Sequence, residues 1–249
     1  MRIGIISDVH SNIDALKAVY QEFTQQHVDK IICCGDIIGL GAHPEECIQF
    51  IQSIQPQILS IVRGNHENYL LKELPVYDHN DPTKPQIPEP ILDLFRWNHS
   101  RISQSSVNYL NNLPNQEIIK VEGVKIYNSH YPISPTGSYM HFYIRPDLRQ
   151  CKKIFANVDA DIFLFGHTHI RSFNHTHRHK YYINPGSTGC PIGTDSASAG
   201  ILTINGKNVN YTQLDVAYDI DKAVKDMLSN NYNLPAIDYT VDHFYRRPS

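Results

Sequence analysis

Three short apolar runs, at residues 3–6, 31–34 and 58–62, alternate with two segments whose apolar side chains recur at helical spacing. The first helical set is Ile13, Leu16, Val19 or Tyr20, and Phe23, and the second is Cys47, Ile51 and Ile54. Buried strands joined through helices must run parallel, so the first third of the chain predicts a parallel sheet with helical crossovers. Ser11 or Asn12 stands where it can cap the first helix, and Pro44 suits the first turn of the second.

After residue 115 the pattern changes. Residues 117–121 and 124–128 flank a Glu122-Gly123 turn, and residues 200–204 and 209–214 flank Asn205-Gly206, which predicts two hairpins. A helix is expected over 147–157 and a further buried strand over 161–165. The expected class is therefore α/β with mixed sheets, in one domain over residues 1–249. Pro75, Pro82, Pro85, Pro88 and Pro90 mark residues 75–90 as an irregular excursion ahead of a helix at 91–112, either a plain surface loop or a lid. The tail over 216–249 carries one helix, ending near Asn230.

Each buried run ends in polar residues able to hold a metal or a phosphate. The first gives Asp8-Val9-His10, the second Gly35-Asp36, and the third Arg63-Gly64-Asn65-His66-Glu67. Later strands end in Ser129-His130 and in Gly166-His167-Thr168-His169. Side chains alternate faces along a strand, so Asp8 and His10 at the end of the first strand point the same way. Open α/β sheets bind ligands at the carboxyl ends of their strands, so these groups gather in one place. Carboxylates, imidazoles and one amide oxygen, with no thiolate among them, form a mixed oxygen and nitrogen donor set for a transition metal. Asp8, His10, Asp36, Asn65, His130, His167 and His169 are too many for one ion. A carboxylate shared between two ions is the usual solution, and Asp36, alone in its motif, is the natural bridge.

The ordered set D-x-H, G-D, G-N-H-[DE], a lone His and G-H-x-H resembles the calcineurin-like metallophosphoesterases over roughly residues 1–215. The resemblance implies a β-sandwich flanked by helices, with two transition-metal ions drawn from Mn, Fe, Zn or Ni. It assigns Asp8, His10 and His169 to the first ion, Asn65, His130 and His167 to the second, and Asp36 to both. His66 is then the histidine that contacts phosphate and protonates the leaving oxygen, while a water or hydroxide held between the ions attacks phosphorus. Asn12 and Arg63 read either as phosphate contacts or as a helix cap and an ion-paired arginine.

Departures from the pattern narrow the branch. The protein Ser/Thr phosphatases carry Asp-Arg-Gly where this chain has Gly39-Leu40-Gly41, which disfavours a phosphoprotein substrate. Residues 184–191 resemble a segment of prokaryotic members, with Ile192 where Arg is common, and residues 39–47 and the length resemble the prokaryotic phosphodiesterases and dinucleoside-polyphosphate hydrolases. Tyr139, His141, Tyr143 and Arg145 follow His130 and can stack on a base or serve ordinary packing, so a nucleotide is the expected small phosphorylated substrate. The run of histidines over 174–180 reads as a solvated hairpin tip.

Net charge is -3, which excludes a strong general attraction to nucleic acid or an anionic membrane and speaks against the alternative of a nuclease. A non-catalytic metal-binding scaffold is the other alternative, and its ligand set should be eroded where this one is complete. Five cysteines without a C-x-x-C pair, an N-terminus without a signal-peptide pattern, and no apolar stretch of membrane-spanning length predict a cytoplasmic chain with reduced thiols.

Overall fold

The computed structural model describes residues 1–72, 74, 87–134, 139–177, 179–229 and 236–245. Strand β1 (Arg2–Ile6) pairs in parallel with β2 (Lys30–Cys33), and β2 with β3 (Ile58–Ile61). Helices α1 (Ile13–Gln25) and α2 (Pro44–Ser53) form the two crossovers. The hairpin of β9 (Ala197–Asn205) and β10 (Asn208–Val216) joins the other edge of β1 antiparallel, giving the order β10-β9-β1-β2-β3. The second sheet runs β4-β5-β6-β8-β7, built from β4 (Gln116–Val121), β5 (Val124–Ser129), β6 (Ile162–Leu164), β8 (Tyr181–Asn184) and β7 (Ser172–His175). Both sheets are mixed, as expected.

Strand alternation divides the buried side chains between two layers. Ile3, Ile5 and Ile32 pack between the sheets against Ile126, Ile162, Leu164 and Ile183. Ile6, Ile31 and Cys33 pack on the other face, against Leu16, Val19 and Phe23 of α1 and Cys47, Ile48 and Ile51 of α2. Each full burial of such a side chain contributes about 1.5–3 kcal/mol, and a strand apolar on both faces is what this sandwich requires. Helix α6 (Leu148–Ile154) covers the outer face of the second sheet against Tyr127, Phe163 and Tyr182. Asp147 caps that helix reciprocally with Gln150.

A separate apolar cluster joins α4 (Glu89–Ser100), α7 (Ile220–Ser229) and α8 (Ala236–Phe244) to Leu40 and Cys190 in two strand-end loops. The expected single helix over 91–112 is two: α4, then α5 (Gln104–Asn111). Ser103 interrupts it by accepting from the Ser106 amide, and the Glu45 carboxylate takes the Ser103 N–H and both serine hydroxyls. A side chain bonding its own backbone in this way starts a helix rather than continuing one. The tail holds α8 beyond the expected helix α7, and α3 (Asn65–Leu71) opens directly from the third strand-end motif. Residues 75–86 of the expected excursion lie outside the described residues. Among the described residues no helix is long and apolar enough to cross a membrane, and all five cysteines are free and buried.

Candidate metal centre

Strand β1 ends at Ile6, two residues before its motif begins, so pleat alternation is not what aims Asp8 and His10. Asp8, His10, Ser11, Asp36, His167 and His169 all have left-handed φ, between 47° and 70°. Each such non-glycine residue costs about 1–2 kcal/mol, and the surrounding hydrogen bonds hold the strain in place. The Asp8 amide donates to Gly35, the His10 amide to Asp36 and the Ser11 amide to Ile37, so the first two strand-end loops are laced together. Glu67, fully buried, accepts the amide N–H groups of Asp36, Ile37, Ile38 and Gly64, fixing the second loop to the third. Gly64 is indispensable at that junction, because a Cβ there would lie 2.0 Å from Asp36 Oδ1.

The result is one continuous buried group of donor atoms. Asp8 Oδ1 lies 3.4 Å from His169 Nε2 and 3.8 Å from His10 Nε2, and the two imidazole nitrogens are 2.9 Å apart. Asn65 Oδ1 lies 3.1 Å from His130 Nε2 and 2.8 Å from His167 Nδ1. Asp36 Oδ2 stands between the two sets, 3.1 Å from His130, 3.8 Å from His10 and 4.0 Å from His66. All seven expected ligand residues and His66 are therefore brought together.

The tautomers test whether this group suits a cation. His130 Nδ1 donates to the Cys34 carbonyl and His169 Nδ1 to the Cys190 carbonyl, each at 2.8–2.9 Å. Neutral rings so oriented aim their Nε2 lone pairs at carboxylate, amide or imidazole acceptors, an arrangement that only a proton or a metal ion satisfies. The charges agree. Burial opposes a proton on His130, but the Asp36 carboxylate raises its pKa to about 9. Burial and neighbouring imidazoles lower His167 to about 3 and lower His10 well below its ordinary value. Burial pushes Asp8 up, whereas at Asp36 burial is outweighed by His130 and His66, which hold it well below the carboxylate range. A mixed oxygen and nitrogen set in which burial keeps protons off His10 and His167 beside buried carboxylates fits metal ions.

His66 faces Asp36 Oδ2 at 4.0 Å and packs against aromatic rings on its other sides. Its ring meets Phe95 edge-on at 4.7 Å and Tyr69 at 5.6 Å, and burial lowers its pKa to about 4. Gly39, φ 138°, fills the space where an orienting side chain would stand: a Cβ there would lie 2.6 Å from His10 Nδ1 and 2.7 Å from His66 Nδ1. Asn98 of α4 pins this loop, accepting from the Gly39 amide and donating to Ser11 Oγ and the Gly41 carbonyl.

Of the four residues expected to contact substrate, Asn12 and Arg63 lie in strand-end loops and Tyr143 and Arg145 in the segment between β5 and α6. Asn12 caps α1 through the Ala15 amide and donates to the Gly189 carbonyl. Arg63 is half-buried, and its amide donates to the Pro114 carbonyl. Tyr143 packs against His141 and receives its position from the Tyr131 hydroxyl, which accepts its amide N–H. Arg145 is exposed, as is Ile192, and the hairpin tip carrying His175 and His177 is solvated. Phe142, between the residues singled out in the sequence, stacks on His167 at 4.4 Å. Phe244 of α8 packs on His169 at 5.4 Å. Local motifs pointed to neither ring. The aromatic run from Tyr139 to Tyr143 was the available signal for the first.

The family model for the calcineurin-like phosphoesterase superfamily domain matches residues 1–207. An uncharacterised protein of Methanocaldococcus jannaschii is 30% identical over 251 residues, covering 92% of each chain. A phosphodiesterase of the same organism is 22% identical over 215 residues, covering 86% of this chain and 100% of its own. The crystal structure of a metallophosphoesterase from Sphaerobacter thermophilus is 27% identical with a TM-score of 0.72, covering 98% of this chain and 97% of its own. That of a hypothetical protein from Pyrococcus horikoshii, 17% identical, shares the fold with a TM-score of 0.79 and covers 99% of both chains.

Proposed function

The chain belongs to the calcineurin-like phosphoesterase superfamily and is a hydrolytic phosphoesterase, and on that premise we propose that it is a two-metal phosphodiesterase for a small, nucleotide-type substrate. The observation that carries the metal count is Asp36 Oδ2, which stands between an Asp8, His10, His169 set and an Asn65, His130, His167 set. Asp8, His10 and His169 would hold one ion, Asn65, His130 and His167 the other, and Asp36 both. When bound, such ions neutralise phosphoryl oxygens and lower the pKa of water.

The remaining work falls to the chain. Water oxygen forms a bond to phosphorus as the P–O ester bond breaks, the attacking water gives a proton up to solvent, and the expelled oxygen takes the proton that His66 carries. Burial lowers the His66 pKa to about 4, which makes its proton easy to give up, while the negative charges of Asp36 and of a bound phosphoryl group favour its imidazolium. Phe95 and Tyr69 keep water from that ring and fix its direction. A diester is favoured over a phosphoprotein because Gly39 stands where a phosphate-binding arginine motif would lie, and because a relative bears the name phosphodiesterase.

The test is metal-stripped protein reloaded separately with Mn, Fe, Zn, Ni or Mg and assayed on bis(4-nitrophenyl) phosphate, 4-nitrophenyl phosphate and a phosphothreonine peptide. Metal-dependent turnover with the diester preferred is expected. No turnover with any metal, or preference for the peptide, overturns the proposal.

A further inference from the structure

A cavity of about 880 Å³ opens beside the metal centre, between α3 and the β4 edge of the second sheet. Its size lies within the range of small-molecule sites, roughly 300–1,000 Å³. Asn65 forms one end, so the cavity begins at a side chain whose oxygen faces His130 and His167. Tyr69, in its wall, touches the His66 ring, and Tyr139, opposite, stacks on His167 at 5.8 Å with planes 26° apart. The cavity therefore lies on the flank of the residue that protonates the departing oxygen.

Its lining has a distinct chemistry. Asn68, Asn115 and Gln116 contribute carboxamides beyond Asn65. Asn68 donates to the Gly64 carbonyl and to Asn115 Oδ1, while its own buried Oδ1 accepts no hydrogen bond among the described residues. Lys72 is the one cation among the described residues of the lining, and Asp159 is paired with Lys125. Paired donors and acceptors with aromatic faces and little charge suit an uncharged planar group that hydrogen-bonds along its edges. A chain of further phosphates would need several cations here.

We propose that this cavity is the leaving-group subsite and that it receives a nucleoside, so that the preferred substrate is a phosphodiester whose departing alcohol is a nucleoside rather than a dinucleoside polyphosphate. The inference rests on the phosphodiesterase reading above and names the group that reading leaves open. Asn115 and Gln116 select the nucleoside through its edges, and Tyr139 lies along its ring.

Two measurements test it on the full chain. In the first, kcat/KM for a dinucleoside monophosphate and for bis(4-nitrophenyl) phosphate is compared in wild type, Asn115→Ala and the nearly isosteric Gln116→Glu. The dinucleoside monophosphate should be the better substrate of wild type, and its advantage should fall about tenfold or more in each variant. In the second, titration calorimetry of free nucleosides into metal-free protein should detect binding that weakens at least tenfold in both variants. Equal loss on both substrates, or a dinucleoside polyphosphate preferred over the monophosphate, overturns the subsite. So does nucleoside binding that the variants leave intact. Absence of aryl-diester turnover in wild type with every metal overturns instead the reading beneath it, while the calorimetry still judges the subsite.

Discussion

Two layers of the molecule meet at the candidate metal centre. The strand-end loops of the two sheets contribute every oxygen and nitrogen donor, on a backbone strained at six non-glycine positions. The helical cover of α4, α7 and α8 reaches the same place with rings and one carboxamide: Phe95 on His66, Phe244 on His169, and Asn98 on the Gly39 loop. The centre lies wholly within the 207 residues that the family model matches, whereas α7 and α8 lie beyond them. The difference separates chemistry from its adjustment. Donors held by short hydrogen-bonded loops set what the site can do, and the cover sets how dry the site is and how firmly His66 is aimed.

The largest effects should therefore come from the strand ends. Asp36→Asn keeps the side-chain shape but removes the charge that both donor sets face, and it should abolish metal retention and lower turnover by about 10³-fold or more. His66→Ala should retain metal near wild type and lower kcat by roughly 10²-fold. Metal analysis with steady-state kinetics reads both. Metal lost from the His66 variant and kept by the Asp36 variant would reverse the assigned roles.

An intermediate effect is expected in the cover. Asn98 is fully buried and makes three hydrogen bonds, one to Ser11 in the first strand-end loop and two to Gly39 and Gly41 in the second, so Asn98→Ala should destabilise by about 1–3 kcal/mol. It should retain metal while lowering kcat, because Gly39 sets the room for His10 and His66. Thermal melts and metal analysis decide it. Loss of metal would show that the cover takes part in building the centre as well as in adjusting it.

This division also explains what the sequence disclosed. The parallel sheet, both hairpins and the converging motifs were legible because each depends on neighbours a few residues apart: Asn205-Gly206 makes a turn wherever it stands, and Asp8, Asp36 and His130 follow buried strands. The reason given for Asp8 and His10 was wrong in detail, since left-handed loops aim them after β1 has ended. Helical periodicity could not find the break at Ser103, whose cap depends on Glu45 from another helix. Nor could it place Phe244 on His169, a contact between residues 75 positions apart made by tertiary packing alone. Nor does the aromatic run from Tyr139 to Tyr143 say which of its rings meet His167, and it is Tyr139 and Phe142 that stack there.

The smallest effect sharpens the comparison by removing the metal. In the stripped protein His66 is lowered to about 4 and His167 to about 3, each chiefly by burial, as is His99 of the cover, at about 4. Unfolded, each would titrate near 6.5, so the unfolded chain binds more protons below that pH and stability falls as pH drops from about 6.5 toward 4. Glu67, raised to about 7 by burial and Asp36, acts in the opposite sense between about 4.5 and 7, as does Asp8, which burial also raises, but the lowered imidazoles, His10 among them, outnumber these two carboxyls. His130 is raised to about 9, so its contribution is complete below about 6.5 and is lost as pH rises through 9. Metal-free protein should then be most stable near pH 6.5 and weaken on both sides. Bound metal must displace the His130 proton, so the stabilisation that metal confers should grow from pH 6.5 to about 9. Thermal melts across pH, with and without metal, read both trends. A stripped protein whose stability still rises from pH 7 to 9 would mean that His130 is neutral without metal and that Asp36 does not hold its proton.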